Sequence, residues 1–263
     1  MNLNNKTVWI TGASSGIGEA LAYELASSGA RLILSARSQA ELERVKNLCT
    51  SPEKHIVVPL NLEHHQALAN QALSVWEEYG PIDILINNAG LSQRYLVADS
   101  AFELDKKIMD VNFFGAVALT RPILKKMLQR GSGHIAVVSS MLGLYGIQTR
   151  AAYSASKHAL RGYFESLRNE LANSKLKITL IYPGFVNTQI AQNSLLASGV
   201  SFGKMDKSHE RGIKPAICAK KIVHAIRHEK PVVVIAGLKE RFGAILARFC
   251  PFLFRYISPK FEV

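Results

Sequence analysis

The sequence predicts an α/β fold: a doubly wound, mostly parallel seven-stranded sheet with helices on both faces. Three observations predict it. Short apolar, β-branched runs alternate with helically spaced apolar residues along the chain. A glycine-rich loop joins the first strand-like run to the first helix. No repeat, low-complexity segment or linker divides the 263 residues.

The elements follow in order. Residues 7–10 form the first strand, and Ile17, Leu21 and Leu25 then recur at helical spacing until Gly29. Residues 31–36 read as a second strand, 39–48 as a second helix and 56–60 as a third strand. A helix through Leu68, Leu73 and Trp76 stops at Gly80-Pro81, and residues 82–86 make the fourth strand. One long helix is predicted over about 103–129, ended by Gly131 and Gly133. Strand 135–138 runs into Ser139-Ser140, a helix spans about 153–172, and strand 178–181 precedes Pro183-Gly184. Residues 189–214 are polar and aperiodic and read as a mobile substrate loop or lid. Residues 231–236 supply the seventh strand. Such alternation requires a sheet covered on both faces, and right-handed crossovers put ligands at the carboxyl ends of its strands. The expectation is one domain over residues 1–237 and a basic, apolar tail over 238–263.

Composition narrows the class. Apolar residues make up 48% and charged residues 20%, ordinary for a chain with a large core. Cys49, Cys218 and Cys250 are far apart and odd in number, so neither a disulfide framework nor a metal site is expected. The first residues show no leader pattern and no apolar run approaches the ~20 residues of a membrane span. A cytoplasmic setting is the expectation. The net charge is +12, but basic residues are spread out with no recognition motif, so no nucleic-acid partner is expected. The pair His64-His65 lacks partners at ligand spacing and reads as the start of a solvated helix.

The loop Thr11-Gly12-Ala13-Ser14-Ser15-Gly16-Ile17-Gly18 carries the first chemical signal. Glycines let the backbone approach a pyrophosphate, and the helix start offers free N–H groups and a positive dipole end. Gly12, Ser14, Ser15, Gly16, Ile17 and Gly18 are therefore the candidate phosphate-binding residues of a Rossmann-type domain. The second strand ends Ser35-Ala36-Arg37-Ser38, without the acid that would hold a ribose 2′-hydroxyl. A guanidinium at Arg37 suits a 2′-phosphate, which points to NADP(H).

Tyr153 and Lys157 are four apart at the start of a helix and share a face. A tyrosine ionises near pH ~10, and a nearby ammonium is expected to lower that and permit proton exchange near neutrality. Ser140 ends the preceding strand, with Ser139 as the competing residue.

Together, Thr11 to Gly18, Asn87-Asn88-Ala89-Gly90, Asn112, Ser140, Tyr153-x-x-x-Lys157 and Pro183-Gly184 resemble the short-chain dehydrogenase/reductase family, in order, over about residues 5–237. The resemblance implies these roles. Tyr153 exchanges a proton with the substrate oxygen. Lys157 lowers its pKa and binds the nicotinamide ribose. Ser140 positions the carbonyl, and Asn112 holds a water linking Lys157 to solvent. Asn61 and Leu62 would lie near the adenine, Asn88, Ala89 and Gly90 would line the cofactor, and Pro183, Gly184, Val186 and Thr188 would hold the nicotinamide end. Two positions depart from the pattern: Asn61 replaces the usual aspartate, and Ser15 stands where many NADP-using relatives carry a basic residue.

The implied activity is NADP(H)-dependent interconversion of a ketone or aldehyde and an alcohol, with a 3-oxoacyl thioester reductase or a non-catalytic NADP(H)-binding redox sensor as alternatives. Residues 87–94 and 156–161 are similar to a branch with membrane-associated reductases of lipophilic carbonyls. The pocket wall is expected from residues 91–97, 141–150 and 189–211, and a homodimer or homotetramer from the helices around Asn112 and Tyr153. In the tail, Phe242, Ile245, Leu246 and Phe249 recur at helical spacing beside Lys239, Arg241 and Arg248. That pattern fits peripheral contact with an anionic membrane, or packing on the domain or on a partner subunit.

Overall fold

The computed structural model describes residues 1–260; the last three residues of the predicted tail, 261–263, lie outside them. Strands β1 (Thr7–Thr11), β2 (Arg31–Ser35), β3 (Ile56–Val57), β4 (Ile84–Asn87), β5 (His134–Val138), β6 (Lys177–Pro183) and β7 (Val232–Ile235) form one sheet in the order β3-β2-β1-β4-β5-β6-β7. Every pairing is parallel. The order reverses between β1 and β4, and the crevice at that switch lies outside the carboxyl ends of both strands.

Alternation along the strands supplies two cores. In β1, Val8 and Ile10 face one side and Trp9 the other; β2 repeats this with Leu32 and Leu34 against Ile33. The first side is closed by α1 (Gly16–Ser27), α2 (Gln39–Leu48) and, after them in the chain, a helix over Pro215–Arg227. The second is closed by α3 (His65–Tyr79), α5 (Gly115–Arg130) and α6 (Ala151–Glu170), while α4 (Phe102–Met109) packs outside it in a small cluster of Ile108 with Tyr95, Ala152 and Leu195. Each fully buried Leu or Ile in these layers contributes roughly 1.5–3 kcal/mol relative to exposure.

Three expectations change. The third strand is two residues long and not five, although Val58 and Leu60 beyond it still donate to the Leu34 and Ala36 carbonyls. The long helix over 103–129 is interrupted by a π turn at Asp110–Phe114, where the Gly115 N–H reaches back to the Asp110 carbonyl. Residues 189–214, the expected substrate loop, contact the body of the domain: Arg94 N–H donates to Leu195 O at 2.7 Å, Leu195 N–H to Ser92 O at 2.9 Å, and Arg94 pairs with Asp206 beside the short helix α7 (Lys207–Glu210). Helix α8 (Pro215–Arg227) was not anticipated, although Pro215 opens it and Cys218, Ile222, Val223 and Ile226 are buried at helical spacing.

The tail folds into α9 (Leu238–Phe249) and α10 (Pro251–Ile257). Leu246 is buried and Gly243 packs against Tyr145, whose ring meets Phe254 at 5.5 Å. Its other face is open: Leu238, Phe242, Ile245, Phe249, Phe252 and Tyr256 are each more than half exposed. Among the described residues no helix is long and apolar enough to cross a membrane.

Candidate active site

A cleft of about 920 Å³ runs along the carboxyl ends of the strands. Every candidate named from the sequence lines it except Gly18 and Asn112. Those two act one layer behind.

The phosphate loop is shaped by close packing. Gly12 (φ 65°) and Gly16 (φ 59°) adopt the left-handed conformation that disfavours other residues. A Cβ on Gly18 would fall 2.0 Å from the Gly12 carbonyl oxygen, so helix α1 can seat against the loop only with glycine there. Asn88 is engaged with the loop itself: its Nδ2 donates to Thr11 O (3.0 Å) and Gly12 O (3.2 Å), while Thr11 Oγ1 accepts from Asn88 N and Ala89 N. Arg44 adds a clasp that the sequence reading missed, donating to Ser14 O at 3.2 Å and to the carboxylates of Glu19 and Glu41 at 2.8 Å. Arg37 is exposed at the cleft edge and forms no ion pair among the described residues. Thr188 closes over Gly16, whose Cβ would lie 3.1 Å from it. Asn61 and Leu62 line the cleft after β3, and the Asn61 side chain accepts from Glu63 N at 3.1 Å.

At the other end, Tyr153 is buried in the first turn of α6 and hydrogen-bonded to Ser140. The adjacent serine is used differently: Ser139 Oγ donates to Lys157 O at 3.0 Å. The geometry thus pairs Ser140, and not Ser139, with the phenol. Gln93 is a residue missed from sequence; its Oε1 accepts the Tyr153 N–H at 2.8 Å and fixes the start of α6. No local pattern announces Gln93, because its partner lies sixty residues away.

Lys157 departs from expectation. Its Nζ donates to Val138 O at 3.0 Å and lies 5.6 Å from the Tyr153 ring centroid. Burial brings its pKa down to about 8. Burial also holds the Tyr153 phenol above its ordinary value, opposed by the Ser140 hydrogen bond and the charge of Arg150 rather than by Lys157. Desolvation outweighs the expected lowering, so the phenol is protonated at neutral pH.

Asn112 sits in the π turn, and its side chain is committed to the loop after β4. Oδ1 accepts from Leu91 N at 2.7 Å, and Nδ2 donates to Leu91 O and Ser156 Oγ, both at 2.9 Å. Asn112 and Lys157 flank Gly90, whose added Cβ would be 3.2 and 3.4 Å from their polar atoms. Pro183, Gly184 and Val186 line the cleft opposite, where Glu240 of α9 accepts the Phe185 N–H at 3.1 Å. The predicted wall is present in part: Leu91, Met141, Arg150, Asn193, Leu195 and His209 contribute. Among the described residues no group of three His, Cys, Asp or Glu side chains could hold a metal ion.

Comparison with known proteins places this cleft. The family pattern described as short chain dehydrogenase matches residues 6–198. "Dehydrogenase/reductase SDR family protein 7-like" of Drosophila melanogaster is 41% identical over 263 residues, covering 98% of this chain and 81% of that protein. "Dehydrogenase/reductase SDR family member 7B" of Mus musculus is 35% identical, covering 96% and 80%. Among solved structures, a short-chain dehydrogenase from Streptomyces avermitilis superposes with a TM-score of 0.82 at 24% identity, covering 98% of this chain and 96% of that one. A short chain dehydrogenase from Burkholderia cenocepacia J2315 in complex with NADP gives 0.79 at 22%, covering 98% and 99%. One from Burkholderia phymatum in complex with NAD gives 0.79 at 24%, covering 89% and 90%. The chain belongs to the short-chain dehydrogenase/reductase family and is an oxidoreductase of that family.

Proposed function

We propose that the chain binds NADP(H) in this cleft and reduces a carbonyl compound to an alcohol, with Tyr153 as the general acid. One observation carries the reading: a buried phenol, protonated at neutral pH and hydrogen-bonded to Ser140, ends the same cleft that begins at the glycine loop. The residues fit a dinucleotide. The left-handed glycines and the Gly18 contact leave backbone N–H groups open at the start of α1, and Arg37 offers an unpaired guanidinium for a 2′-phosphate. A nicotinamide bound there supplies the hydride chemistry.

The chain's own residues do the rest. Ser140 orients the substrate oxygen beside the phenol, and Tyr153 donates its proton to that oxygen as negative charge develops. Burial favours the neutral phenol, so Tyr153 is set up as an acid, the form that reduction needs. The charge of Arg150 then stabilises the phenolate left behind. A carbonyl panel that includes 3-oxoacyl thioesters, assayed with NADPH and NADH in parallel, tests this. Tyr153→Phe should lower turnover by roughly 10²-fold or more while NADPH still binds. Binding of NADPH without turnover of any carbonyl would favour the redox-sensor reading instead.

The surface supports a reading of the setting. We place the protein at the cytoplasmic face of an anionic membrane, with the open face of α9 and α10 as the contact. Lys239, Arg241, Arg248 and Arg255 surround that face, while Glu240, the one acid between residues 238 and 257, points inward. A reducing compartment suits Cys49 and Cys218, both free and buried, with thiols pushed up to about 11 and 12 by burial. Self-association as a dimer or tetramer would use the outer faces of α5 and α6.

A further inference from the structure

Arg150 immediately precedes α6, one turn before Tyr153, and lines the cleft. It is only 3% exposed although it carries a full charge. A guanidinium has five N–H donors. Nη1 donates to Thr149 Oγ1 at 3.0 Å and to the Thr149 carbonyl at 3.4 Å. Among the described residues no carboxylate forms an ion pair with Arg150. The acid on this side of the cleft, Asp206, is already taken. Arg94 pairs with it, and His209 approaches through its backbone N–H at 2.7 Å and Nδ1 at 2.8 Å.

Burial and the neighbouring charge of Arg94 bring the Arg150 pKa down to about 10, against the opposing pull of Asp206 and Tyr153 from beyond ion-pair distance, so the cation persists at neutral pH. Buried charges are normally paired, and one that is not is unfavourable to keep. The backbone beside it is strained as well. Thr149, a β-branched residue, has φ 61°, in the left-handed region where such residues are outliers. Strain of this kind gathers at ligand sites, where surrounding structure holds it in place. Here it coincides with a desolvated cation facing the substrate space.

We propose that Arg150 is the counter-ion for a substrate carboxylate: the compound reduced at Tyr153 is an oxo-acid whose carboxylate lies about one helical turn from its carbonyl oxygen. The assignment rests on the carbonyl-reductase reading above. A carboxylate matches the guanidinium fork in two parallel hydrogen bonds and balances its single charge. A phosphate dianion would leave surplus negative charge beside Asp206.

The test uses the full chain with NADPH and matched pairs: medium-chain oxocarboxylates, with the two groups two to eight carbons apart, and their methyl esters. Wild type should prefer at least one acid over its ester by tenfold or more in kcat/KM. Arg150→Met should bring that ratio to within twofold of unity, and Arg150→Lys should keep part of it. Equal use of acids and esters by wild type would overturn the proposal. An equal loss on both members of each pair in Arg150→Met would also overturn it, since that marks a residue that merely positions Tyr153. A wild-type measurement stands apart from folding of the variants and from turnover. With NADP bound, medium-chain alkyl carboxylates should raise Tm and the corresponding amides should not; equal shifts would sink the assignment. Failure of every carbonyl to turn over would remove the reductase reading, and this comparison would still decide Arg150.

Discussion

At the residue scale the site separates two neighbours that look alike in sequence. Ser139 and Ser140 both follow β5, but an extended backbone sends successive side chains to opposite sides. Ser140 therefore meets the Tyr153 phenol while Ser139 turns to the Lys157 carbonyl. Ser140→Ala should lower kcat by about 10²-fold, and it also removes the cap in which Ser140 Oγ accepts from Leu142 N at 3.1 Å. Ser139→Ala should lose one buried hydrogen bond, about 1 kcal/mol, and shift Tm more than kcat. Steady-state kinetics and thermal melts on the two variants check this, and the reverse pattern would exchange the roles. Tyr153, Lys157 and the glycines were legible because the spacing of a few residues on one helix or loop fixes their relation. Arg150 and Gln93 were not. Their importance comes from what they lack or hold across the cleft: a missing counter-ion for one, a backbone N–H sixty positions away for the other.

At the element scale, the sequence announced the strand–helix alternation but not its interruptions. The run 103–129 has a helical pattern throughout, and nothing local marks the π turn at Asp110–Phe114. Its cause is tertiary, because the Asn112 carboxamide hooks the backbone of Leu91 and pulls the helix out of register. Helix α8 carried its signal in plain sight and was overlooked beside the aperiodic loop before it. The apolar spacing of the tail lies on a helix, α9, and its consequence can be measured. Apolar side chains at Leu238, Phe242, Ile245 and Phe249 recur at helical intervals on the open face of α9, with cations at the border. The full chain should co-float with vesicles containing anionic phospholipid and less so with neutral ones, weakening as salt rises. Phe242→Ser combined with Phe249→Ser should reduce flotation several-fold without lowering NADPH affinity. Unchanged flotation would remove the membrane contact, and conversion of a dimer to a monomer by the same variant would assign the face to a second copy.

At the scale of the whole molecule, the class of fold was legible because a covered parallel sheet is the one architecture that uses such alternation, yet the stability of that sheet depends on a residue the sequence left unremarked. His134 opens β5, near the sheet's centre, and is fully buried. Thr179 Oγ1 donates to Lys230 O at 2.7 Å and lies 2.8 Å from His134 Nε2, so the imidazole donates from Nε2 and Nδ1 stays unprotonated, with no hydrogen-bond partner. Protonation would place a charge and an unsatisfied N–H in the core, and burial depresses the pKa from 6.5 to about 4. The sign follows by linkage. Above pH 6.5 the ring is neutral in both states and contributes no pH dependence. Between 6.5 and about 4 the unfolded chain binds the proton and the folded one does not, so stability falls with pH, by about 3 kcal/mol at pH 4. Urea unfolding at pH 7, 5.5 and 4.5 should give a declining midpoint for wild type and a flatter decline for His134→Gln. The slope left in the variant belongs to the other groups held below their ordinary values, among them His55 and His209 by burial and His224 by the charge of His228. Parallel declines in the two proteins would show that the acid sensitivity of the sheet arises elsewhere.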